Sequence, residues 1–288
     1  MTNRASLTAE YMALFRALET SRPPGFRMFV DSDAAAFLHG ARKLLYWIAR
    51  FHGLRLVEEL LDREAPGARA AGIARTKWID DEASAALETT NQFVLLGAGF
   101  DMRAYRLTPA TRATVFELDH PETSSAKQAE LRKAKRGLPE HIRYLGIDFN
   151  TQSIAEVLLE AGFDNSRPAC FVWEGVTNYL TAEAVDNAVC EIRRAARESV
   201  LLFTYIDRAV LDNPQFFFGA ARLMARLQSY GEPWTFGLYP GELQSYLAAR
   251  GFELVKDSSV AEVWQQAGRP SRGTRGYEFY RLASARVR

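Results

Sequence analysis

The stretch that decides the fold lies at residues 92–103 and reads QFVLLGAGFDMR. A short apolar run there ends in a glycine-rich turn. A second apolar run, in the sequence VFELDHP at residues 115–121, ends in the acids Glu117 and Asp119. A strand followed by a glycine turn, with an acid after the next strand, is the spacing that a nucleotide-type cofactor requires. These two segments therefore predict a cofactor-binding α/β domain.

Composition excludes several classes of protein. The 288 residues are 48% hydrophobic, enough for one large core or two modest ones. The 36 Lys and Arg residues nearly balance the 35 Asp and Glu residues, so nucleic acid is not expected as a partner. Cys170, Cys190 and the four histidines are scattered, which argues against a disulfide-built secreted domain and against a metal site. Without a signal segment or a membrane-length apolar run, the sequence predicts a cytoplasmic protein with no membrane partner.

Apolar runs alternate with helical patterns from residue 92 onward. The predicted strands cover residues 93–96, 114–118, 143–147, 169–173 and 200–205, with helices at 124–135, 153–161 and 182–196. Such nearly continuous hydrophobic strands favour a mainly parallel sheet buried on both faces. Two more strands, at 252–256 and 277–282, are expected to pair as a terminal antiparallel unit. The expected fold class is α/β, a doubly wound, mainly parallel, seven-stranded sheet.

The chain is expected to form a single domain with four regions. The predicted regions are a helical cap at 1–90, a cofactor-binding core at 91–210, a helical lid insert at 211–240 and terminal strands at 241–288. Apolar residues at three- and four-residue spacing indicate the helices of the first region. A packing layer without function is the alternative for this cap, and a purely structural core is the alternative for the aromatic residues of the insert.

The first predicted strand is followed by residues suited to binding a ligand through the backbone. In Gly97, Ala98 and Gly99 the missing or small side chains let backbone amides approach a ligand. Asp101 stands where the next helix would begin, and a helix cap is its structural alternative. Because ligands of such sheets bind at the carboxyl ends of the strands, this turn is expected in the site.

Acids follow the next three predicted strands. Glu117 and Asp119 end the second strand, where a carboxylate can accept hydrogen bonds from both hydroxyl groups of a ribose. Asp148 and Phe149 follow the third strand and suit the amine and the face of an adenine. Glu174 follows the fourth strand, where it would border the reactive end of the cofactor. The four strand ends therefore predict one nucleoside-binding site.

The residues around the turn favour S-adenosylmethionine over a dinucleotide. The dinucleotide motif requires a third glycine, but Met102 occupies that position. A pyrophosphate would also be repelled by the nearby acids, whereas a phosphate-free cofactor with an ammonium and a sulfonium group would be attracted. The predicted cofactor is therefore S-adenosyl-L-methionine.

Four segments together resemble the leucine carboxyl methyltransferase family. They read ARTKWIDD at 74–81, LLGAGFDMRAYRL at 95–107, FELDHP at 116–121 and WEGVTNYL at 173–180. More narrowly, they resemble its bacterial branch, which includes O-methyltransferases acting on polyketide and peptide carboxylates. The resemblance extends from about residue 22 to residue 253. It implies the Rossmann-like class I methyltransferase fold and a place in natural-product biosynthesis.

The resemblance also implies roles for individual residues at the methionine end of the cofactor. Arg75 would pair with the methionine carboxylate, Gly97 would line the amino-acid arm, and Glu174 would lie close by. A structural alternative for Arg75 is an ion pair with a neighbouring aspartate of its own helix. The eukaryotic members' cysteine is replaced here by Gly175, which puts a phosphatase substrate in doubt more than the cofactor.

At the nucleoside end, the resemblance implies that Asp119 holds the ribose hydroxyl groups, with Glu117 as the second choice. Asp148 and Phe149 would meet the adenine. Arg103 has a structural alternative, because it could cover the glycine turn as an ion-pair partner.

Chemistry favours a carboxylate as the methyl acceptor. A carboxyl group has a pKa near 4 and is already ionised at neutral pH. A phenol has a pKa near 10 and usually benefits from a general base. Only His120 lies in the strand-end segments, so no dedicated base is evident. Positioning candidates are Arg22 and Arg27, together with Arg75 and Tyr179.

Three alternatives remain at this point. A phenol or other hydroxyl acceptor on the same fold is the closest alternative to the carboxylate of a small molecule or peptide. An NAD-dependent oxidoreductase and a noncatalytic binding protein are the others. The insert and the N-terminal helices are expected to enclose an apolar, aromatic acceptor, with Phe217 and Trp234 as contacts. The oligomeric state is left open.

Overall fold

A computed structural model of the chain describes residues 7–149 and 151–288. The strands are β1 Gln92–Leu96, β2 Thr114–Asp119, β3 Ile142–Gly146, β4 Cys170–Trp173, β5 Val200–Ile206, β6 Phe252–Ser259 and β7 Tyr280–Val287. The helices are α1 Leu7–Thr20, α2 Gly40–His52, α3 Leu54–Glu64, α4 Ala68–Leu87, α5 Arg103–Arg106, α6 Pro121–Lys133, α7 Ile154–Glu160, α8 Ala182–Ala195, α9 Ala209–Asp212, α10 Ala220–Ser229, α11 Leu243–Ala248 and α12 Val260–Gln266.

The seven strands form one sheet in the order β3-β2-β1-β4-β5-β7-β6. β1 to β5 run parallel to one another, and β7 is antiparallel to both β5 and β6. The predicted α/β fold with a mainly parallel, doubly wound sheet and an antiparallel end is confirmed. Strand order reverses between β1 and β4, and a ligand site is expected beyond the carboxyl ends of these strands.

Both faces of the sheet are buried, which explains the nearly continuous apolar runs of its strands. In β2, Val115 belongs to the core on the side of α1 and α4, whereas Phe116 and Leu118 belong to the core on the side of α7 and α8. Successive side chains of a strand point to opposite faces, so both must be apolar when helices cover both faces.

The helices before β1 form more than a cap over one edge. α4 packs against β4, β5 and β7, and most of its residues are buried, so it is one of the helices that cover the sheet. Gly72 permits its close approach to α1, because a Cβ atom there would lie 3.0 Å from the side chain of Met12. α1 therefore packs across α4, close to the carboxyl ends of the strands.

The terminal region differs from the sequence prediction in the bounds of its last strand and in its helices. The last strand is Tyr280–Val287, whereas the prediction was residues 277–282, because Tyr277 and Phe279 stack on each other before the strand begins. The helices α11 and α12 were not predicted at all. Within residues 7–149 and 151–288, no helix has both the length and the apolar character that crossing a membrane requires.

Candidate active site

A cavity of about 770 Å³ lies at the carboxyl ends of the central strands. Residues that follow β1, β2, β3 and β4 form its floor, while α1, α4, α10 and the segment after α10 form its walls. The sequence prediction of a site beyond these strands agrees with this position. Within the part of the chain that the structure describes, no group of three or more His, Cys, Asp or Glu residues is arranged to hold a metal ion.

The glycine turn after β1 is shaped by two close approaches. The backbone N–H groups of Gly97 and Ala98 both donate to the carbonyl oxygen of Leu118, at 2.8 and 3.2 Å. Gly97 has a φ of +68°, and a Cβ atom there would lie 2.5 Å from Cγ2 of Val176. Only glycine combines this conformation with this contact, so the turn brings bare backbone to the cavity.

We expect Gly97→Ala to lower the free energy of unfolding by more than about 1 kcal/mol, because alanine is strained at positive φ and its methyl group would collide with Val176. Gly137→Ala is the control, since Gly137 has no neighbouring atom within 4 Å of its ideal Cβ position. Urea denaturation of both variants checks the prediction. Equal stabilities would show that the turn relaxes without cost.

Asp119 holds the glycine turn from the end of β2. Its Oδ2 accepts a hydrogen bond from the backbone N–H of Gly99, and its Oδ1 accepts one from the N–H of His120 at 2.7 Å. Burial raises the pKa of Asp119, and the two N–H donors oppose that rise. Asp119 lines the cavity, so a hydrogen-bond acceptor is held in place beside the turn.

Asp148 and Phe149 line the cavity after β3, next to Ile147. The N–H of Asp148 donates to Oε1 of Gln152 at 2.9 Å, and the N–H of Gln152 donates back to the carbonyl oxygen of Asp148. This reciprocal pair fixes the loop. An acid and an aromatic ring therefore lie at the same end of the cavity as Asp119.

Arg75 and Glu174 form a charged pair at the opposite end of the cavity floor. Arg75 Nε lies 2.7 Å from Glu174 Oε1, and its NH1 group donates to the hydroxyl oxygen of Tyr280 at 3.1 Å. Burial alone raises the pKa of Glu174, but the guanidinium groups of Arg103 and Arg75 outweigh burial and lower that pKa. One cation and one anion therefore lie side by side in the cavity wall.

A buried arginine connects this pair to the glycine turn. Arg103 is 2% exposed and donates to Oδ1 of Asp80 at 2.8 Å, to Oδ2 of Asp101 at 2.5 Å and to Oε2 of Glu174 at 2.5 Å. Burial alone raises the pKa of Asp101, but Arg103, Arg106 and other cations outweigh it and lower the pKa. Arg103 therefore has the structural role considered for it from the sequence.

Three tyrosines stand around Arg75. Tyr179, Tyr277 and Tyr280 line the cavity, and the guanidinium carbon of Arg75 lies 5.4 Å from the ring centre of Tyr280. Burial raises the pKa of Tyr179 and of Tyr277. Both phenols stay protonated at neutral pH and can donate hydrogen bonds. Trp234, from the insert, packs edge-on against Tyr277 and also lines the cavity.

Most of the residues predicted from the sequence line this cavity. They are Arg75, Gly97, Ala98, Gly99, Asp101, Asp119, Asp148, Phe149, Glu174 and Tyr179. Their roles in binding a cofactor stay predictions.

Three predicted residues lie elsewhere, and these placements correct the sequence analysis. Glu117 is buried against α6, where its Oε2 lies 2.7 Å from Lys127 Nζ, so its side chain does not line the cavity. Arg22 pairs with Glu19 at 2.8 Å and also with Glu58.

Arg27 does not line the cavity either, and its guanidinium donates to the carbonyl oxygen of Thr20 at 3.5 Å. Phe217 packs edge-on against Phe279 and does not line the cavity, unlike Trp234. Neither Arg22 nor Arg27 is placed to position a substrate.

Several lining residues were missed from the sequence. Tyr277 and Tyr280 were read only as part of a strand, and Phe15 only as part of a helix. Nothing in its local sequence distinguishes Phe15 from a core residue. For the two tyrosines, the one local signal is the aromatic cluster YEFY at residues 277–280.

The family model for leucine carboxyl methyltransferase matches residues 9–193. A relative from Parafrankia sp. (strain EAN1pec) is 34% identical over 190 residues and carries the provisional name S-adenosyl-L-methionine-dependent methyltransferase. That alignment covers 65% of this chain but only 58% of the relative. A relative from Mycolicibacterium paratuberculosis with the same provisional name is 30% identical over 290 residues, covering 93% of this chain and 90% of its own.

Two solved structures share the fold. A provisionally named methyltransferase from Thermobifida fusca YX has a TM-score of 0.64 at 19% identity, and it covers 100% of this chain and 96% of its own. A DUF574 family protein from Streptomyces avermitilis MA-4680 has a TM-score of 0.62 at 16% identity, covering 95% and 97%. At these identities the likeness shows the fold alone.

Proposed function

Because the chain belongs to the leucine carboxyl methyltransferase family, we propose that it transfers a methyl group from S-adenosylmethionine to a carboxylate oxygen of a small molecule or peptide. The observation that carries the proposal is the Arg75–Glu174 pair, which lies in one cavity with Asp119. The residues that suit the amino-acid, ribose and adenine parts of the cofactor all line this cavity, which supports the proposal.

The charged pair matches the zwitterion of a methionine moiety. Arg75 presents a guanidinium group to a carboxylate, and Glu174 presents a carboxylate to an ammonium group. The two side chains are already 2.7 Å apart, so an amino acid would replace one ion pair by two. Arg103, which is bonded to Glu174, keeps that glutamate ionised and in place.

Asp119 suits the ribose hydroxyl groups, since each carboxylate oxygen has further lone pairs beyond the one that binds a backbone N–H. Asp148 and Phe149 lie at the same end of the cavity and suit the adenine. The bare backbone of Gly97 passes between the two ends. When bound, S-adenosylmethionine supplies an electrophilic methyl group on a positively charged sulfur atom.

The side chains around Arg75 suit an acceptor that is already ionised. Tyr179 and Tyr277 remain protonated and can donate hydrogen bonds to a carboxylate, but they cannot serve as bases at neutral pH. His120 is at the N-terminus of α6 beside Asp119, at the ribose end. The protein's task is therefore to hold the carboxylate oxygen in line behind the methyl group and to exclude water.

The methyl transfer needs no proton acceptor. A bond forms between the carboxylate oxygen and the methyl carbon while the carbon–sulfur bond breaks, and its electron pair stays on sulfur. The products are a neutral methyl ester and S-adenosylhomocysteine.

A phenolic acceptor is the second candidate, and the aromatic wall of Trp234, Tyr277 and Tyr280 favours it. The two candidates differ in pH dependence. For a carboxylate, we expect the rate at saturating substrate to change by less than about twofold between pH 6 and pH 9, because the group is ionised throughout. For a phenol it should rise about tenfold per pH unit, because the ionised fraction does so below a pKa near 10.

Calorimetry and mass spectrometry test the proposal together. Binding of S-adenosylmethionine and not of NAD, followed by methyl ester formation from carboxylic acids, is the expected result. Binding of NAD alone would establish an oxidoreductase instead, and binding of neither would indicate a noncatalytic protein. Methyl ethers of phenols without any methyl ester would transfer the assignment to the second candidate.

A further inference from the structure

α2 and α3 present a row of large apolar side chains to solvent. Each is between 45 and 75% exposed, and the rings of Trp47 and Phe51 stack with centres 5.6 Å apart. We call this row the α2–α3 apolar face, and it comprises Leu44, Trp47, Phe51, Leu56 and Leu60. Contiguous exposed apolar surface of this kind marks a binding site more often than chance.

The α2–α3 apolar face is continuous with the cavity. Leu60 belongs to both, since it is 47% exposed and also lines the cavity. Leu61 and Leu45, from the same two helices, line the cavity beside it. The cavity therefore reaches the surface at this face.

One face of α4 connects this opening with the charged pair. Ala68, Ala71, Gly72 and Arg75 all line the cavity, and their spacing of three, four and seven residues places them on one side of the helix. This wall therefore carries only small apolar side chains until it reaches the guanidinium group of Arg75. At 1.5 Å per residue it is about 10 Å long.

The facing walls of this passage are apolar as well. Met12 and Phe15 come from α1, and Leu223 and Leu227 come from α10. Near the surface Arg226 is neutralised by Glu64, with NH2 and Oε2 3.4 Å apart. A charged or strongly hydrated acceptor would gain nothing from such walls, whereas a hydrocarbon chain would gain from burial along the whole length.

We infer that the acceptor is an amphiphilic acid whose carboxylate lies at the hydroxyl groups of Tyr179 and Tyr277, beside Arg75, and whose hydrocarbon chain runs along α4 and emerges on the α2–α3 apolar face. The carboxylate end of this inference rests on the proposed function, and its chain end rests on the passage alone. Continuity with the cavity is what assigns the exposed face to the acceptor chain and not to a second protein molecule.

The experiment uses saturated fatty acids of eight to sixteen carbons with S-adenosylmethionine. We expect KM to fall about fourfold per added methylene while the chain fills the passage, since each buried methylene contributes about 0.8 kcal/mol. Methyl ester formation is followed by mass spectrometry. Affinity is measured separately by calorimetry with S-adenosylhomocysteine present, so that binding is read even when no transfer occurs.

Leu60→Glu and Leu159→Glu form the matched pair of variants, because both leucines are 47% exposed and Leu159 lies on α7, outside the cavity lining. Leu60→Glu should raise the Kd of hexadecanoate about tenfold or more relative to that of octanoate, because a carboxylate would then face the chain. Leu159→Glu should leave that ratio unchanged.

Each of the other outcomes contradicts either this inference or the proposed function. An affinity independent of chain length, or equal effects of the two variants, would overturn the inference. A dimer that Leu60→Glu dissociates without changing the chain-length dependence would overturn it too, and would assign the face to a second copy. Chain-length-dependent binding without any methyl ester would leave the passage established and refute the carboxylate acceptor of the proposed function.

Discussion

Replacing Arg103 by methionine is expected to lower the free energy of unfolding by about 3 to 5 kcal/mol, the scale of breaking a buried ion pair by removing one partner. Arg103 is 2% exposed and forms ion pairs with Asp80, Asp101 and Glu174. Without it Asp101 and Glu174 each lose a charged hydrogen-bond donor at 2.5 Å in a buried setting. The loss is therefore larger than one surface ion pair could account for.

Arg112→Met is the control for this variant, since Arg112 is 69% exposed and lies 4.0 Å from its partner Glu88. Its effect should stay within about 0.5 kcal/mol. Arg103→Lys should fall between the two, because an ammonium group keeps the charge but not the planar fork of donors. Equal losses for Arg103→Met and Arg112→Met, measured by urea denaturation, would show that the buried acids find other partners.

Asp119→Ala is expected to weaken S-adenosylmethionine binding by about 1 to 3 kcal/mol, the scale of losing hydrogen bonds to a charged group. Two effects add in the same direction. The ribose hydroxyl groups lose their acceptor, and the N–H groups of Gly99 and His120 lose the carboxylate that holds the turn. Isothermal calorimetry measures the change directly.

Glu117→Gln is the comparison, because Glu117 lies in the same strand, two residues before Asp119. Its carboxylate pairs with Lys127, and its Oε1 has no hydrogen-bond partner among the described residues. The variant should lower stability but keep the affinity for S-adenosylmethionine. If Glu117→Gln weakened binding and Asp119→Ala did not, the two acids would have the opposite roles.

The sequence predicted the sheet well because its signals are local. Each parallel strand is buried on both faces, so its apolar run is visible without knowledge of its neighbours. The residues directly after those strands, such as Gly97, Asp119 and Glu174, follow from topology, since parallel strands bring their carboxyl ends to one edge. That is why most of the predicted site residues meet in one cavity.

The parts of the site that the sequence did not predict depend on contacts between residues that are distant in sequence. Glu117 lies outside the cavity because it pairs with Lys127 on α6, whereas Asp119 at the end of the same strand lines the cavity. Arg22 was misassigned because Glu58, thirty-six residues away, binds its guanidinium group. Tyr280 reaches Arg75 over a separation of 205 residues. The spacing of apolar residues along the chain carries no information about such pairings.

The position of β7 has a consequence for synthesis on the ribosome. β7 is made after the other six strands of the described sheet, yet it lies inside the sheet, between β5 and β6. Tyr280, which begins it, holds Arg75 from the first third of the chain. Domains generally begin to fold from their N-terminal end while the rest is still being made. The Arg75 end of the cavity is thus completed only after β7 has been made and has paired with β5, so a nascent chain that stops short of β7 cannot carry a finished pocket.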